Sequence, residues 1–339
     1  MRKQDHFAEL LAAYRAAPEE FQATSYWAAY EDELLKFIAK MDFDELRSGK
    51  HRVLRAFGFD DSVYHRRYTP IRRFLARMLG LKPRYMAPYS LTRDKIEEMA
   101  WRHCEIYGQL TGALPLAGVE SSLAGGPPGV FSVDGRHYTI PFLSYYLRYC
   151  FAQQFIPFAN NPVMVELGSG SGYLIEVLKK LYPDLTVLCF DLPGQVFLCE
   201  HYLSAVLGEE QVVSTATTLN WNSLEAVERG KVNFLGNWQM PLLQDFSFDL
   251  FWNAASFGEM EPDVVRNYLS FVKGRAKWVY LQQRRGGQKT SGRVHVKDPI
   301  SLDMYKSMLD GYELLEVQDS YVADRKVAGD YFEGVWRRP

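Results

Sequence analysis

The chain has 339 residues, about twice the length of a typical single domain, so we expect either two folding units or one large core with an addition. Apolar residues make up 47% of the sequence and charged residues 24%, which excludes a disordered chain, a collagen-like chain and a coiled-coil rod. The formal net charge of -2 gives the whole molecule no general attraction to nucleic acid or to an anionic membrane.

Residues 1–125 are predicted to form a helical N-terminal region. Apolar side chains recur at three- and four-residue spacing over residues 26–41, which is typical of an amphipathic helix. A second helix is predicted over residues 70–80, with Pro in its first turn and Gly at its end, and a third over residues 91–110. The Gly- and Pro-rich stretch 124–129 interrupts any regular element, so we expect the region to end there.

The basic residues are concentrated in one segment of this N-terminal region. Residues 46–84 contain eleven Lys and Arg against Asp60 and Asp61, a net charge of +9, and the rest of the chain carries -11. One interpretation is a surface for a phosphorylated or acidic small molecule, for an acidic protein or for nucleic acid. The other interpretation is a solvated face that pairs with the acidic rest of the chain, within one chain or across a homodimer. It is favoured because the charged segment contains no recognised motif.

Residues 126–160 are predicted to lead into the main fold. Two short β-rich runs flank Asp134-Gly135, a dipeptide that favours a type I′ hairpin turn. A helix is predicted to follow over residues 141–155.

Strands alternate with helices in residues 161–339. Five short apolar runs are typical of strands buried on both faces: residues 163–167, 186–191, 232–236, 248–253 and 277–282. The intervening helices are predicted over residues 173–182, 195–207 and 262–274. Residues 312–322 and 331–338 are two further strands with no helix between them. The pattern predicts an α/β fold, with a mostly parallel Rossmann-like sheet that ends in an antiparallel C-terminal hairpin.

The first of these strands leads into a glycine-rich loop, Gly168-Ser169-Gly170-Ser171-Gly172. Glycines lack Cβ atoms, so a ligand can lie against the backbone at the N-terminus of the following helix. The third glycine comes one residue earlier than in the G-x-G-x-x-G dinucleotide motif, and no Gly-Lys-Ser/Thr follows, which excludes a P-loop. The next strand ends in Asp191, where nucleoside sites place a carboxylate that accepts hydrogen bonds from ribose.

The motif from Glu166 to Gly172, the position of Asp191 and the terminal hairpin together resemble class I S-adenosylmethionine-dependent methyltransferases over residues 161–339. The resemblance implies S-adenosylmethionine as cofactor, S-adenosylhomocysteine as product and no metal. It implies that the cofactor is bound by these residues: Glu166, Gly168, Ser169, Gly170, Gly172, Asp191, Leu192, Asn237, Trp238 and Asn253.

The resemblance also implies a role for several of these residues. Glu166 would organise the glycine loop and bind the amino group of the cofactor, and Asp191 would bind the ribose. Leu192 would contact the adenine, whose edge is commonly recognised where Asn237 and Trp238 follow the third strand. Trp238 would equally suit the apolar core.

The loop after the fourth strand carries a Ser-Phe-x-Glu-Met sequence. Together with residues 236–243 and 136–149, it resembles the sugar O-methyltransferase family, which implies that Ser256, Glu259 and Met260 line the reaction centre. A sugar hydroxyl is a poor nucleophile and reacts faster when a base takes its proton.

Glu259 and His295 are the two candidates for the catalytic base. Glu259 lies in the motif, but a carboxylate at this position would equally cap a helix. His295 has the better intrinsic pKa, although a lone loop His is more often structural. Tyr138, Tyr145 and Arg148 are further candidates to contact the acceptor, and an exposed helix position would also explain Arg148.

We therefore expect an S-adenosylmethionine-dependent methyltransferase that acts on a hydroxyl of a sugar or glycosylated metabolite in polysaccharide or natural-product biosynthesis. Residues 1–125 would serve as a cap, a substrate-binding part or a dimer interface. A peptide carboxylate, another small-molecule oxygen or nitrogen, and nucleic acid remain alternative acceptors. The chain has Asn253-Ala-Ala-Ser256 instead of an Asn/Asp-Pro-Pro-Tyr-like tetrad, which disfavours nucleic acid. A silent binding module is a further alternative, disfavoured by the intact glycines and acidic positions.

The compartment is inferred from the cysteines and the first residues. Cys104, Cys150, Cys189 and Cys199 are far apart, lie mostly in apolar runs and lack the spacing of a metal site. They are typical of buried thiols in a reducing compartment. The first residues are acidic too early for a secretory signal, and no apolar run reaches 18 residues. We expect a cytoplasmic protein with a small-molecule acceptor, glycosylated or phosphorylated, and no contact with a membrane.

Overall fold

A computed structural model describes residues 3–22, 25–38, 41–55, 57–59, 61, 92–287, 296–322, 325–326 and 331–339. The helix predicted over residues 70–80 and the candidate base His295 lie outside these ranges. Most of the basic segment 46–84 lies outside them as well.

Three helices of the N-terminal region are described: α1 (Lys3–Arg15), α2 (Ser25–Ile38) and α3 (Arg93–Thr111). The hydroxyl of Thr92 accepts a hydrogen bond from the backbone N–H of Lys95, which caps the start of α3. Gly112 ends α3 with a left-handed φ of 69°. The helices predicted over residues 26–41 and 91–110 are confirmed.

The predicted hairpin is formed by β1 (Phe131–Val133) and β2 (Arg136–Tyr138), which pair antiparallel. Asp134 and Gly135 between them have φ values of 49° and 79°, the positive values that a type I′ turn requires. Helix α4 (Ile140–Ala152) follows directly.

The main sheet has eight strands in the order β5-β6-β4-β3-β7-β8-β12-β9. Their bounds are β3 (Val163–Leu167), β4 (Thr186–Asp191), β5 (Val212–Val213), β6 (Val232–Gly236), β7 (Leu250–Ala254), β8 (Trp278–Arg284), β9 (Glu313–Asp319) and β12 (Tyr331–Arg337). Every neighbouring pair from β5 to β8 is parallel, and β12 is antiparallel to both β8 and β9. Strands β10 (Tyr321–Val322) and β11 (Arg325–Lys326) form a separate small hairpin. The predicted fold class is confirmed.

The helices that connect these strands are α5 (Tyr173–Leu181), α6 (Pro193–Leu207), α7 (Thr215–Thr218), α8 (Pro262–Ser270) and α9 (Leu302–Met308). The sequence predicted α5, α6 and α8. It did not predict β5, α7 or α9, since elements of two to seven residues are too short to show a clear apolar period.

Two apolar clusters cover the two faces of the main sheet. One contains residues of α1, α2, α3, α4, α5 and α6, such as Phe7, Leu34 and Phe197. The other contains residues of α8 and α9, such as Val265 and Tyr305. The N-terminal helices therefore pack directly on one side of the sheet. Among the described residues, no helix combines the length and the apolar character needed to cross a membrane.

Candidate functional site

The connectivity of the sheet creates a crevice at the carboxyl ends of its parallel strands. From β3 the chain continues to β4 and β6 on one side, whereas β7 and β8 lie on the other side. The connections after β3 and β7 thus leave in opposite directions, and ligands of open α/β sheets bind at this point. A cavity of about 340 Å³ lies there, lined by Gly168, Asp191 and Ser256 among others.

The three glycines of the loop after β3 all have left-handed φ values, 80° for Gly168, 56° for Gly170 and 74° for Gly172. Gly168 and Gly170 line the cavity, and a Cβ atom on Gly170 would meet nothing within 4 Å. Gly172 has another role, because a Cβ atom there would lie 2.8 Å from Cys199 Sγ on α6. The loop therefore leaves open space at Gly170 and packs tightly at Gly172.

Asp191 ends β4 and lines the cavity. Its carboxyl oxygens accept hydrogen bonds from the backbone N–H of Leu192 at 2.8 Å and of Gly170 at 3.2 Å. Asp191 therefore connects the end of β4 to the glycine loop after β3. Burial raises the pKa of Asp191 to about 7; these hydrogen bonds oppose the rise, and the charge of Glu259 adds to it. Leu192 also lines the cavity.

Asn237 follows β6 and lines the cavity. Its amide nitrogen donates to the carbonyl oxygen of Phe21 at 2.6 Å and to the hydroxyl of Tyr268 at 2.8 Å. Its Oδ1 atom is buried and has no hydrogen-bond partner among the described residues. Asn237 thus offers one free acceptor.

Glu166 and Ser169 lie behind the cavity lining. Glu166 is buried, and its Oε2 atom has no hydrogen-bond partner within the described ranges. Burial raises the pKa of Glu166 to about 8, and the charge of Asp191 adds to this effect. The hydroxyl of Ser169 lies 2.8 Å from Cys189 Sγ.

Asn253 and Trp238 also lie outside the cavity lining. The amide nitrogen of Asn253 donates to Leu167 O and to Ser256 Oγ, both at 2.7 Å, and its oxygen accepts a hydrogen bond from Gln283 at 2.6 Å. This amide joins β3, β7 and β8 and fixes the loop after β7. The Trp238 ring packs against Tyr14, with ring centroids 5.5 Å apart.

Ser256, Glu259 and Met260, which follow β7, also line the cavity. Burial raises the pKa of Glu259, and a hydrogen bond from Trp27 lowers it. Trp27 and Phe57, from the N-terminal region, line the same cavity.

Tyr138, Tyr145 and Arg148 do not line this cavity. Tyr138 is buried in the core and donates to Leu116 O at 3.4 Å. Tyr145 packs edge-on against Tyr173, and the Arg148 guanidinium lies 4.3 Å from the Tyr145 ring. The described residues contain no cluster of three or more His, Cys, Asp or Glu suited to a metal ion.

Several residues that line the cavity were not predicted as site residues. These are Phe21, Gln22, Trp27, Phe57, Gly58, Leu167, Gln195, Ala254, Ala255, Glu261, Val264 and Tyr268. Trp27 and Tyr268 lie in predicted amphipathic helices, where the sequence pattern is the same for an aromatic residue that lines a cavity and for one that packs in the core. The sequence therefore could not distinguish them from core residues.

No protein-family model matches the sequence, and no curated protein matches it. Solved structures similar to this one include the pyocyanin biosynthetic protein PhzM, 14% identical over 53% of this chain and 51% of PhzM, with a TM-score of 0.37. This chain thus matches about half the length of PhzM. A second is magnesium protoporphyrin IX methyltransferase (ChlM) from Synechocystis PCC 6803 with bound SAH, which is 11% identical over 57% of this chain and 83% of ChlM, with a TM-score of 0.40. A third is a cyclopropane-fatty-acyl-phospholipid synthase-like protein from Lactobacillus casei ATCC 334, which is 12% identical over 61% of this chain and 94% of that protein, with a TM-score of 0.40.

Proposed function

We propose that the protein is an S-adenosylmethionine-dependent methyltransferase that transfers a methyl group to a hydroxyl of a sugar or glycosylated metabolite. The main support for the proposal is the cavity at the carboxyl ends of the parallel strands, which is lined by Gly170 after β3, Asp191 at the end of β4 and Asn237 after β6. Residues 161–339 would bind the cofactor, and the N-terminal region would complete the acceptor side.

The residues around the cavity suit this cofactor. Gly170 leaves free the space that a Cβ atom would fill, and Asp191 presents a carboxyl group suited to ribose hydroxyls. The unpartnered Oδ1 of Asn237 would accept a hydrogen bond from the amino group of adenine. Bound there, S-adenosylmethionine supplies a methyl group already activated by its positively charged sulfur.

Glu259 is the proposed base on the acceptor side. Burial raises its pKa, so it accepts a proton more readily than an exposed Glu. The hydrogen bond from Trp27 orients its carboxyl group. The rings of Trp27, Phe57 and Tyr268 line the cavity and would pack against the apolar C–H face of a sugar ring and exclude water.

Calorimetry with S-adenosylmethionine tests the cofactor assignment. We expect the unaltered protein to bind it, and Asp191→Ala to weaken binding at least about 10-fold, because hydrogen bonds to a charged group are lost. Asp303→Ala is the matched control, since Asp303 is exposed on α9 and outside the cavity lining. Absence of binding, or equal affinity in Asp191→Ala, would refute the assignment.

A screen with radiolabelled methyl groups tests the acceptor. It should include neutral glycosides, nucleotide sugars, peptides and RNA, with methylation expected on a glycoside or nucleotide sugar. Glu259→Gln should lower turnover about 100-fold or more and leave cofactor affinity unchanged. Turnover on RNA alone would contradict the sugar assignment, and full turnover of Glu259→Gln would point to His295 as the base.

A further inference from the structure

The side-chain amide of Asn237 is fixed in one orientation. Its nitrogen lies 2.6 Å from the carbonyl oxygen of Phe21 and 2.8 Å from the hydroxyl of Tyr268. A backbone carbonyl oxygen only accepts hydrogen bonds, so the nitrogen of the amide must face Phe21. Both N–H groups are then used, and Oδ1 is turned away from both partners.

The two groups that orient the amide are themselves held in place. Phe21 and Tyr268 are each 3% exposed, and their ring centroids lie 6.0 Å apart. The Phe21 ring also packs against Phe271 at 6.1 Å. Burial raises the pKa of Tyr268, so its hydroxyl stays neutral and can accept the N–H of Asn237.

The remaining acceptor of Asn237 has no partner in the described part of the chain. The residue is 2% exposed and lines the cavity, and a buried acceptor without a hydrogen bond is unfavourable because it has lost its hydration. A ligand that donates a hydrogen bond at this point pairs the acceptor. A ligand that presents an oxygen there leaves the acceptor unpaired and adds repulsion between two acceptors.

We propose that Tyr268 and the carbonyl group of Phe21 are positioning groups that make the cofactor site selective for a 6-amino purine over a 6-oxo purine. This inference rests on the proposed function, because it assumes that the adenine of the cofactor lies beside Asn237. The selectivity comes from the fixed amide and not from the shape of the cavity, since the two purines have nearly the same shape. Phe21 brings the N-terminal region into cofactor recognition.

Binding of S-adenosylhomocysteine and of its 6-oxo analogue, S-inosylhomocysteine, tests this inference. The unaltered protein should bind the adenosyl compound about 100-fold more tightly, as expected for a site with a buried acceptor that needs a donor. Tyr268→Phe removes one of the two groups that anchor the amide, so the ratio should fall to about 10 or less. Tyr312→Phe is the matched control, because it also removes a hydroxyl that forms a hydrogen bond, in this case to Ala276 O, but outside the cavity lining.

The ratio of the two dissociation constants separates positioning from a general loss of structure. A folded Tyr268→Phe protein with the unaltered ratio would overturn the inference. Asn237→Ala is a second variant that removes the acceptor, and a ratio that stays near 100 in it would overturn the inference as well. If the unaltered protein binds neither compound, the cofactor assignment fails and this inference with it. If it binds both equally, only this inference fails.

Discussion

The glycines after β3 show how one motif combines two physical requirements. All three residues have a positive φ, which glycine adopts without steric strain. What a side chain would meet differs from one position to the next: open space at Gly170 and the side chains of α6 at Gly172. The absence of a side chain therefore leaves space beside the cavity at Gly170 and allows close packing against α6 at Gly172.

Alanine at these two positions should therefore have different effects. Gly170→Ala places a methyl group in the open space beside the cavity, and we expect cofactor affinity to fall about 10-fold or more, with about 1 kcal/mol lost in stability from the positive φ. Gly172→Ala brings a Cβ atom within 2.8 Å of Cys199 Sγ and 3.0 Å of Leu203 Cδ1. We expect it to lower the free energy of unfolding by about 1–3 kcal/mol more.

Urea unfolding and calorimetry measure the two effects separately. Gly311→Ala is the control for backbone strain alone, because its φ is 85° and a Cβ atom there would meet nothing within 4 Å. Unchanged cofactor affinity in Gly170→Ala would show that this glycine does not contact the ligand. Equal stability of Gly172→Ala and Gly311→Ala would contradict the packing role.

At the scale of elements, the N-terminal region forms hydrogen bonds to residues in or next to three of the loops that line the cavity. Asp61 accepts one from the hydroxyl of Tyr173, next to the glycine loop. Both carboxylate oxygens of Glu31 accept the backbone N–H of Gly194, just after Asp191, at 2.8 and 3.0 Å. Phe21 O accepts one from Asn237, after β6. The N-terminal region is therefore part of the wall of the cavity.

The sequence did not predict these contacts between the N-terminal region and the loops, although it predicted several residues of the loops themselves. The positions of Gly170, Asp191 and Asn237 at the cavity were predictable because each lies at or just after the carboxyl end of a strand, and the carboxyl ends of parallel strands meet at one edge. Trp27 approaches the same cavity through tertiary packing, which no local pattern specifies. Tyr138 was expected near the acceptor, but it packs into the core against Trp101, with ring centroids 6.3 Å apart.

A buried ion pair attaches the N-terminal region to α5 and α6. Arg47 Nη2 lies 2.7 Å from Asp61 Oδ2, with side chains only 1% and 2% exposed. Arg47 also donates to Tyr202 Oη at 3.1 Å and to Ser122 O at 3.0 Å. Arg47→Ala leaves a buried carboxyl without its partner, so we expect the free energy of unfolding to fall by about 3–5 kcal/mol.

Arg102→Ala is the matched control for this ion pair. Arg102 pairs with Glu98 at 2.9 Å on the exposed side of α3, and its loss should cost at most about 1 kcal/mol. Urea unfolding of both variants measures the difference. Equal free energies of unfolding would mean that the Arg47 pair contributes no more than a surface pair.

At the scale of the whole molecule, several buried carboxyl groups make stability depend on pH. Burial is the main cause that raises the pKa of Glu31 and Glu166 to about 8 and of Asp191 and Glu333 to about 7. For Glu31, the charge of Asp191 adds to burial, and the hydrogen bond from Gly194 opposes it. The folded state then keeps protons that the unfolded chain releases, so the free energy of unfolding falls as pH rises.

Burial lowers the pKa of His201 to about 4, which has the opposite effect on stability. That effect is complete by about pH 6.5, the ordinary pKa of His. Above pH 6.5, the carboxyl groups with raised pKa values determine how the free energy of unfolding changes with pH. Between pH 6.5 and 8.0, we expect the free energy of unfolding to fall by on the order of 3 kcal/mol.

Glu31→Gln isolates one of these groups. Gln keeps an oxygen that can accept the N–H of Gly194 but carries no titratable proton, so the fall between pH 6.5 and 8.0 should become smaller by about a third. Glu9→Gln, at an exposed position of α1, should leave the fall unchanged. Urea unfolding at several pH values measures both variants. If the free energy of unfolding rises across this window, or falls equally in Glu31→Gln and in the unaltered protein, then Glu31 is not protonated where α2 packs against the start of α6.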